Sequence, residues 1–206
     1  MAQYFEVHPS HPQLRLVRRA VEIIQQGGVI AYPTDSSYAL GCSIGNKNAV
    51  EQIRRIRHLD DQHNFTLVCQ ALSDIAVYAK FDNTTFRLIK ACTPGPYTFI
   101  LSASKEVPRR LQHPKRKTIG IRVPDFPIVK MLLEELGEPI MSSTLILPGS
   151  DLPENDALEI RDKLEKELDV VIDGGPCEVE PTTVVDLSGD EVQILRHGRG
   201  DVSQFE

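Results

Sequence analysis

The fold is decided within residues 27–41, which read GGVIAYPTDSSYALG. Two glycines lead into a short apolar run, a pattern typical of a buried β-strand. Pro33 then removes a backbone donor and fixes φ, so we expect the strand to end there. Thr34 to Ser37 follow at the carboxyl end of that strand. Because ligands of open α/β sheets bind beyond the carboxyl ends of strands, this polar cluster is a candidate binding site.

The same cluster has a simpler interpretation as a tight turn. Ser and Asp side chains often bond their own backbone in turns, and composition alone does not separate such a turn from a ligand site. The choice between the two therefore depends on what the rest of the chain places nearby.

Length and composition fit one globular domain. The chain has 206 residues, of which 41% are hydrophobic and 25% charged, as is usual for water-soluble proteins. No apolar run approaches the roughly 20 residues of a membrane-spanning helix. Residues 1–11 also lack the basic flank and apolar stretch of a signal peptide. We therefore predict a single domain over residues 1–206, a cytoplasmic location and no membrane partner.

The four cysteines are predicted to be reduced thiols. They lie far apart in the sequence, without the close pairs of a zinc site or the density of a disulfide scaffold. Cys42 and Cys69 lie beside apolar residues, where a free cysteine usually packs as a small core residue. No metal held by protein ligands is predicted.

Charge is distributed unevenly along the chain. The formal net charge is −6, yet residues 151–191 hold 14 acidic and 3 basic residues, a local balance of −11, so the remainder carries +5. Within that remainder, residues 105–122 hold seven basic residues and one acid, Glu106. A basic face on an acidic protein indicates a localised anionic partner, such as nucleotide phosphates or RNA. A solvated charged loop is the alternative, and it is the commoner origin of a single basic run.

Periodicity and end signals predict alternating helices and strands. Apolar spacings near 3.6, with caps or glycine stops, predict helices at 12–26, 46–57, 82–91, 127–136 and 156–168. Apolar and β-branched runs predict strands before Pro33 and at 65–69, 97–101, 118–123, 139–144, 169–172, 182–187 and 192–195. The alternation favours α/β layers, and the closely spaced last strands indicate an antiparallel portion. The predicted fold class is α/β, a single domain with a twisted mixed parallel/antiparallel sheet and helices packed on it.

Polar motifs follow one another along the chain in a fixed order. They are YPTDSSYALG at 32–41, TPGPYTFIL at 93–101, GIRVP at 120–124, and PTTVVD at 181–186 with ILR at 194–196. In this order they resemble the YrdC/YciO family, over nearly the whole chain from about Pro12 to Arg196. The resemblance implies a single YrdC-like domain with a concave basic surface, associated with double-stranded RNA or tRNA.

The resemblance also implies a reaction. The characterised branch of the family makes L-threonylcarbamoyladenylate from L-threonine, bicarbonate and ATP, releases pyrophosphate, and so supplies threonylcarbamoyladenosine formation on tRNA. Such a site needs a clamp for the threonine carboxylate and cations for the charge that spreads over the leaving pyrophosphate. The chain has no Walker-type glycine loop, so side chains and backbone amides bind the phosphates, which share Mg²⁺.

Roles then carry over residue by residue from the family motifs. Arg57 and Arg122 are assigned catalytic roles, and the planar fork of Arg122 suits the threonine carboxylate. The residues assigned to substrate binding are Thr34, Ser36, Arg122, Ser142 and Thr182. Those assigned to the nucleotide are Arg57, Asn64, Thr144 and Arg196. Those assigned to RNA are Arg109, Arg110, Lys115, Arg116 and Lys117.

Simpler roles remain open for several of these residues when they are considered without the family. Arg122 has a possible ion-pair partner in Asp125, three residues further along the chain. Thr182 reads as an ordinary strand residue, and Arg196 reads as a surface residue near the chain end.

Three positions depart from the pattern of the characterised synthases. Their Lys-x-Arg pair is Arg57-His58-Leu59 here, their Ser-x-Asn turn is Thr144-Leu145-Ile146, and the histidine after their Asn-Pro-Leu segment corresponds to Gln70. Loss of a cation and an amide lowers turnover, since each such donor is worth roughly 2.7–4 kcal/mol in measured oxyanion sites. The departures favour the YciO branch. Adenylate synthesis with threonine, a related carbamoyl- or acyl-adenylate reaction, and a non-catalytic RNA-binding role with a modified pocket all stay open.

Overall fold

Eleven β-strands and six α-helices make up the chain, and the computed structural model describes all 206 residues. The strands are β1 (Gln3–Glu6), β2 (Ile30–Tyr32), β3 (Ala39–Ser43), β4 (Thr66–Val68), β5 (Ala79–Lys80), β6 (Tyr97–Ala103), β7 (Thr118–Arg122), β8 (Ile140–Thr144), β9 (Val170–Asp173), β10 (Thr183–Asp186) and β11 (Gln193–Arg196). The helices are α1 (Leu14–Gln25), α2 (Lys47–Arg57), α3 (Leu72–Tyr78), α4 (Asn83–Cys92), α5 (Pro127–Leu136) and α6 (Ala157–Leu164), and a 3₁₀ turn spans Arg109–Leu111.

All the strands join one mixed sheet. Their order is β1-β9-β2-β3-β8-β4-β7-β6-β10-β11, and β5 pairs with β6. The pairs β1/β9, β2/β9, β4/β7 and β6/β10 are parallel, and the others are antiparallel. The predicted α/β class with a mixed sheet is confirmed, including the antiparallel pair β10/β11 near the chain end. None of the helices combines the length and the apolar character needed to cross a membrane.

Capping explains where the predicted helices begin and end. The side chains of Asn46 and Asp82 each accept a hydrogen bond from the backbone N–H three residues further on, which starts α2 and α4. Gly137 adopts φ +74° and ends α5. Asp156 caps α6 as predicted, but this helix ends at Leu164 rather than at residue 168 because residues 165–167 form a turn.

Four short elements, β1, β3, α3 and β5, were absent from the prediction. The sequence of β3 is ALGCS, which has no β-branched residue to signal a strand. Its neighbours fix it instead, because it pairs antiparallel with β2 on one side and β8 on the other. Residues 33–38 therefore form the connection of a β-hairpin, with the polar cluster inside it.

The two faces of the sheet are covered differently. One face packs against α2, α4 and α6 through residues such as Ile53, Ile89 and Ile160, and the predicted core cysteines Cys42 and Cys69 lie in this apolar cluster. The other face packs against α1 and α5, which cover only the part of the sheet around β9, β2 and β8. The rest of that face stays open.

Rows of side chains pass from the covered part of this face to the open part. Ile140, Val68 and Arg122 lie opposite one another on β8, β4 and β7, so their side chains point to the same face. Ile140 and Val68 belong to the apolar cluster under α1 and α5, and Arg122 extends the row beyond it. Ser142 and Thr66 form part of the next row. The open part of this face therefore carries polar side chains, while the opposite face of the sheet packs in the apolar core.

Substitution of Gly41 can test how closely this face of the sheet is packed. A Cβ at Gly41 would lie 2.8 Å from atoms of both Tyr32 and Ile140. We predict that Gly41→Ala lowers the free energy of unfolding by about 1–3 kcal/mol, because overpacking forces side chains off their rotamers. Urea denaturation measures it. Gly189→Ala is the matched control, since a Cβ there meets nothing within 4 Å, and equal stability of the two variants would contradict the packing described.

Candidate active site

A cleft of about 440 Å³ occupies the open part of the sheet face. Residues of β3, β8, β4, β7, β6 and β10 line it, and the segments after α2 and before β10 form its rims. Seven of the nine residues predicted for substrate, nucleotide and catalysis line it. These seven are Arg57, Asn64, Arg122, Ser142, Thr144, Thr182 and Arg196.

Three arginines reach this cleft from three different elements. Arg57 is the last residue of α2, Arg122 the last of β7 and Arg196 the last of β11. Burial and the charge of Arg196 lower the pKa of Arg57 to about 10. Burial and the charge of Arg122 likewise lower the pKa of Arg196. With a pKa of about 10, Arg57 stays protonated at neutral pH. Both pKa values are lowered by burial and a neighbouring positive charge, so a nearby anion would stabilise the charged form of either arginine.

Arg57 and Arg196 have only uncharged partners. Arg57 donates through Nε to the carbonyl of Ile146 at 2.9 Å and through Nη1 to Ser143 Oγ at 2.6 Å. Arg196 donates through Nε to the Thr182 carbonyl at 2.9 Å and through Nη2 to Thr182 Oγ1 at 3.0 Å. Neither takes part in any ion pair of the protein. Their positions are fixed while their charges remain uncompensated.

Arg122 differs because it has a buried counter-ion. Its Nη2 forms an ion pair with the Asp35 carboxylate, and the exposed fractions of the two side chains are 8% and 11%. The same nitrogen donates to Ser36 Oγ at 3.1 Å and to Thr34 Oγ1 at 3.3 Å. Its Nε is buried without a partner. Buried donors are nearly always hydrogen-bonded, and this N–H is an exception.

These contacts bear on two interpretations made from sequence. Arg122 pairs with Asp35 and not with Asp125, whose backbone N–H donates to the other Asp35 oxygen at 2.9 Å. Thr34 and Ser36 are buried and hold the Arg122 guanidinium, and they do not themselves line the cleft. Asp35 was missed as a functional residue, although its place between two predicted ones was a signal.

Hydroxyl groups on the cleft floor are held by hydrogen bonds. The Tyr32 hydroxyl lies 2.6 Å from Ser142 Oγ, which donates to the Leu40 carbonyl at 3.2 Å. Burial raises the pKa of Tyr32 to about 12, so its phenol stays protonated. Because the one hydroxyl proton of Ser142 goes to the Leu40 carbonyl, the phenol donates to Ser142. Thr182 Oγ1 lies 2.8 Å from Thr98 Oγ1. The predicted hydroxyl residues are therefore fixed before any ligand arrives.

The segment that follows α2 supplies lining residues that the sequence did not indicate. Asp60, Gln62 and His63 form part of the rim, and Asp60 is the only carboxylate in the lining. Burial and the charge of Arg57 lower the pKa of His63 to about 4, so its imidazole is neutral at pH 7. The chain holds no group of three or more His, Cys, Asp or Glu side chains suited to a metal ion. The charged side chains of the lining, apart from the neutral His63, are three arginines and one carboxylate.

The predicted RNA-binding residues are all exposed but do not form one patch. Arg116 forms an ion pair with Asp186 and donates to Ser188 Oγ at 2.9 Å, which takes it out of the basic run. Arg109, Arg110 and Lys117 instead line a groove of about 400 Å³, named here the basic groove. Arg54 also belongs to it, together with its ion-pair partners Glu51 and Asp61. His63 lines both this groove and the cleft.

The fold and the cleft define an α/β protein with an arginine-rich cleft on its sheet, and comparison with known proteins identifies its family. The family model for Sua5, YciO and YrdC, described as "Telomere recombination", matches residues 22–198. The chain belongs to the Sua5/YciO/YrdC family, which confirms the predicted resemblance.

Relatives on both branches of the family match most of the chain. YciO of Escherichia coli K12 is 57% identical over 205 residues, with 100% of both proteins covered, and its crystal structure has a TM-score of 0.98. A threonylcarbamoyl-AMP synthase of Coxiella burnetii is 32% identical over 87% of this chain and 96% of that protein. The crystal structure of P. abyssi Sua5 complexed with L-threonine is 25% identical, with a TM-score of 0.87 over 95% of this chain and 57% of that one.

The ion pair beneath the cleft yields a stability prediction. We expect Asp35→Asn to lower the free energy of unfolding by about 3 kcal/mol, because it leaves the buried charge of Arg122 without a partner. Asp125→Asn is the matched control. Only the backbone of Asp125 contacts Asp35, so that variant should stay within about 0.5 kcal/mol of the parent. Urea denaturation of both variants provides the measurement, and a larger loss at Asp125 would contradict the pairing.

Proposed function

We propose that the cleft binds ATP and L-threonine and forms L-threonylcarbamoyladenylate, with bicarbonate as the carbon source and pyrophosphate as the leaving group. The observation that carries this proposal is the set of three cleft arginines, of which only Arg122 has a counter-ion. A triphosphate supplies the negative charge that Arg57 and Arg196 lack. The similarity to a threonylcarbamoyl-AMP synthase and to a relative solved with L-threonine supports the choice of substrates.

The proposed roles follow from the position of each guanidinium. Arg122, which lines the cleft, is assigned to the threonine carboxylate. Threonine and bicarbonate first combine to a carbamate with loss of water. A carbamate oxygen then attacks the α-phosphorus of ATP, and the bond to the β-phosphate breaks with its electrons passing to pyrophosphate. Arg57 and Arg196 are assigned to stabilise the negative charge that develops on the leaving pyrophosphate. No protein nucleophile is required.

The lining of this cleft suits Mg²⁺ only when the ion binds together with the nucleotide. Asp60 is the single carboxylate of the lining, and Mg²⁺ is commonly bound through one or two carboxylates together with substrate phosphates. We therefore propose that the ion arrives with ATP and is held mainly by the phosphates. The chain's own contribution to phosphate binding is its arginines.

RNA binding is a second candidate function, favoured by the basic groove. Arg109, Arg110 and Lys117 line it and form no ion pair. We propose that the groove binds the phosphates of a structured RNA such as tRNA, either together with adenylate synthesis for tRNA modification or as a non-catalytic, translation-associated role. Both forms place the protein in the cytoplasm, where tRNA and ATP are available.

Adenylate synthesis predicts pyrophosphate release that depends on both threonine and bicarbonate. We expect Arg122→Ala and Arg57→Ala each to lower the rate by a factor of about 10² to 10³, as for loss of one charge-stabilising donor. A coupled pyrophosphate assay measures it. Arg87→Ala, at an exposed position on α4, is the control and should retain the parent rate. Release no greater than that of a protein-free sample would refute the enzymatic proposal.

The proposed RNA site predicts that charge reversal at two neighbouring basic residues weakens tRNA binding to different extents. We expect Lys117→Glu to weaken tRNA binding and to reduce the salt slope by about 1 or 2, because phosphate contacts set that slope. Arg116→Glu should change tRNA binding much less, since Arg116 is already paired with Asp186. Fluorescence anisotropy at several salt concentrations provides the comparison. Equal effects of the two reversals would count against the groove as the RNA site.

A further inference from the structure

A row of cleft side chains runs from Arg122 to Arg196 across four neighbouring strands. Continuing the register of the antiparallel pair β6/β7 brings Thr98 opposite Arg122. Val184 on β10 lies opposite Thr98 on one side and opposite Arg196 on the other. Residues opposite one another point to the same face of a sheet, and all four line the cleft. Thr98 therefore lies between the two arginines, although the sequence motifs assign it no role.

Thr98 is one half of a buried pair of hydroxyl groups. Its Oγ1 lies 2.8 Å from Thr182 Oγ1, and the exposed fractions of the two residues are 8% and 4%. Thr182 Oγ1 also accepts a hydrogen bond from Arg196 Nη2 at 3.0 Å. The pair has two hydroxyl protons, and only one of them lies between the two oxygens. Since neither hydroxyl has another partner in the protein, the second proton is free to reach a ligand in the cleft.

The guanidinium of Arg196 determines which of the two hydroxyl groups keeps the free proton. An oxygen that accepts a hydrogen bond becomes a stronger donor, because hydrogen bonds in a chain polarise one another. Thr182 accepts from a charged donor, so it donates to Thr98, and the free proton belongs to Thr98. The chain of hydrogen bonds thus runs from Arg196 through Thr182 and ends at the Thr98 hydroxyl, opposite Arg122.

The charges around the Thr98 hydroxyl favour an anionic acceptor. Arg196 donates only to Thr182, and burial and the charge of Arg122 lower its pKa. Arg122 is paired through Nη2 with Asp35, so its charge is partly compensated. Asp60, the one carboxylate of the lining, belongs to the segment after α2 and not to this row of strands. A carboxylate or phosphate oxygen beside Thr98 would therefore meet a hydroxyl donor between two cations.

We propose that Thr98 is a further ligand-binding residue of the cleft, whose hydroxyl donates to an anionic oxygen held between Arg122 and Arg196. Two groups of the proposed substrates offer such an oxygen, namely the carboxylate of threonine and the phosphates of the nucleotide. The inference rests on the proposed function, because that reaction brings both groups into the cleft. It adds a donor for the anionic group and concerns binding rather than turnover.

Binding of ligands with and without the anionic group tests this donor. Isothermal titration calorimetry compares ATP with adenosine, and L-threonine with L-threoninamide, for the parent, Thr98→Val and Thr98→Ser. We expect Thr98→Val to weaken at least one of the two anions by about 10- to 100-fold, as for loss of a hydrogen bond to a charged group, and to leave its counterpart unchanged. Thr98→Ser keeps the hydroxyl and should bind as the parent does. Loss with ATP assigns the donor to phosphate, and loss with threonine assigns it to the carboxylate.

Titration with pyrophosphate alone separates this inference from the proposed function. Pyrophosphate binding requires neither threonine nor adenosine. If Thr98→Val weakens pyrophosphate about tenfold, the inference stands even where the parent shows no threonine-dependent pyrophosphate release. If the parent releases pyrophosphate while Thr98→Val binds all three anions as tightly as the parent does, the inference falls and the proposed function stands.

Thr84→Val makes the same substitution at an exposed position on α4 and is the matched control, which should bind every ligand as the parent does. Urea denaturation verifies that the variants are folded, and Thr98→Ala replaces Thr98→Val if the valine variant is not. Equal losses for an anion and its counterpart, or a loss in Thr98→Ser as large as in Thr98→Val, would overturn the inference. A parent that binds none of the three anions would overturn it as well.

Discussion

One continuous sheet face carries both an apolar core and a polar cleft, and this is the constraint on which the site depends. Side chains on neighbouring strands point the same way when they lie opposite each other, so the row through Ile140, Val68 and Arg122 is fixed by pairing alone. α1 and α5 cover the apolar part of that face. The cleft is the part left uncovered, and its floor is as rigid as the core because it belongs to the same sheet.

The net charge of the cleft depends on which of its arginines have an acidic ion-pair partner. The chain is net −6, yet none of the acidic residues in 151–191 lines the cleft. That segment instead neutralises Arg116 through Asp186. Asp35 neutralises Arg122 from below the floor, whereas Arg57 and Arg196 are oriented only by carbonyl and hydroxyl oxygens. Ligand charge is thus attracted by the two outer arginines, and Arg122 contributes a directed donor.

Local signals in the sequence predicted the elements whose ends are determined locally. Caps such as Asn46 and the stop at Gly137 need only neighbouring residues, so α2 and α5 were located closely. β3 has no such signal, because its pairing with β2 and β8 is a tertiary event. The motifs predicted Arg122, Thr182 and Arg196 as cleft residues because each of them lies at or next to the end of a strand. The partner of Arg122 is Asp35, 87 residues away, and only the sheet brings the two together.

The departures from the synthase pattern act on binding and on turnover in different ways. Ile146 replaces an amide side chain, but its backbone carbonyl still orients Arg57, and a carbonyl is present whatever the side chain. Leu59 packs against the apolar cluster, so nothing replaces the charge missing there. Gln70 lies outside the cleft lining. The cleft thus keeps the arginines proposed to hold a nucleotide and has one cation fewer than the synthase pattern for the charge of a leaving group. Because ground-state binding and transition-state stabilisation are separate quantities, this geometry favours retained nucleotide binding with slower chemistry.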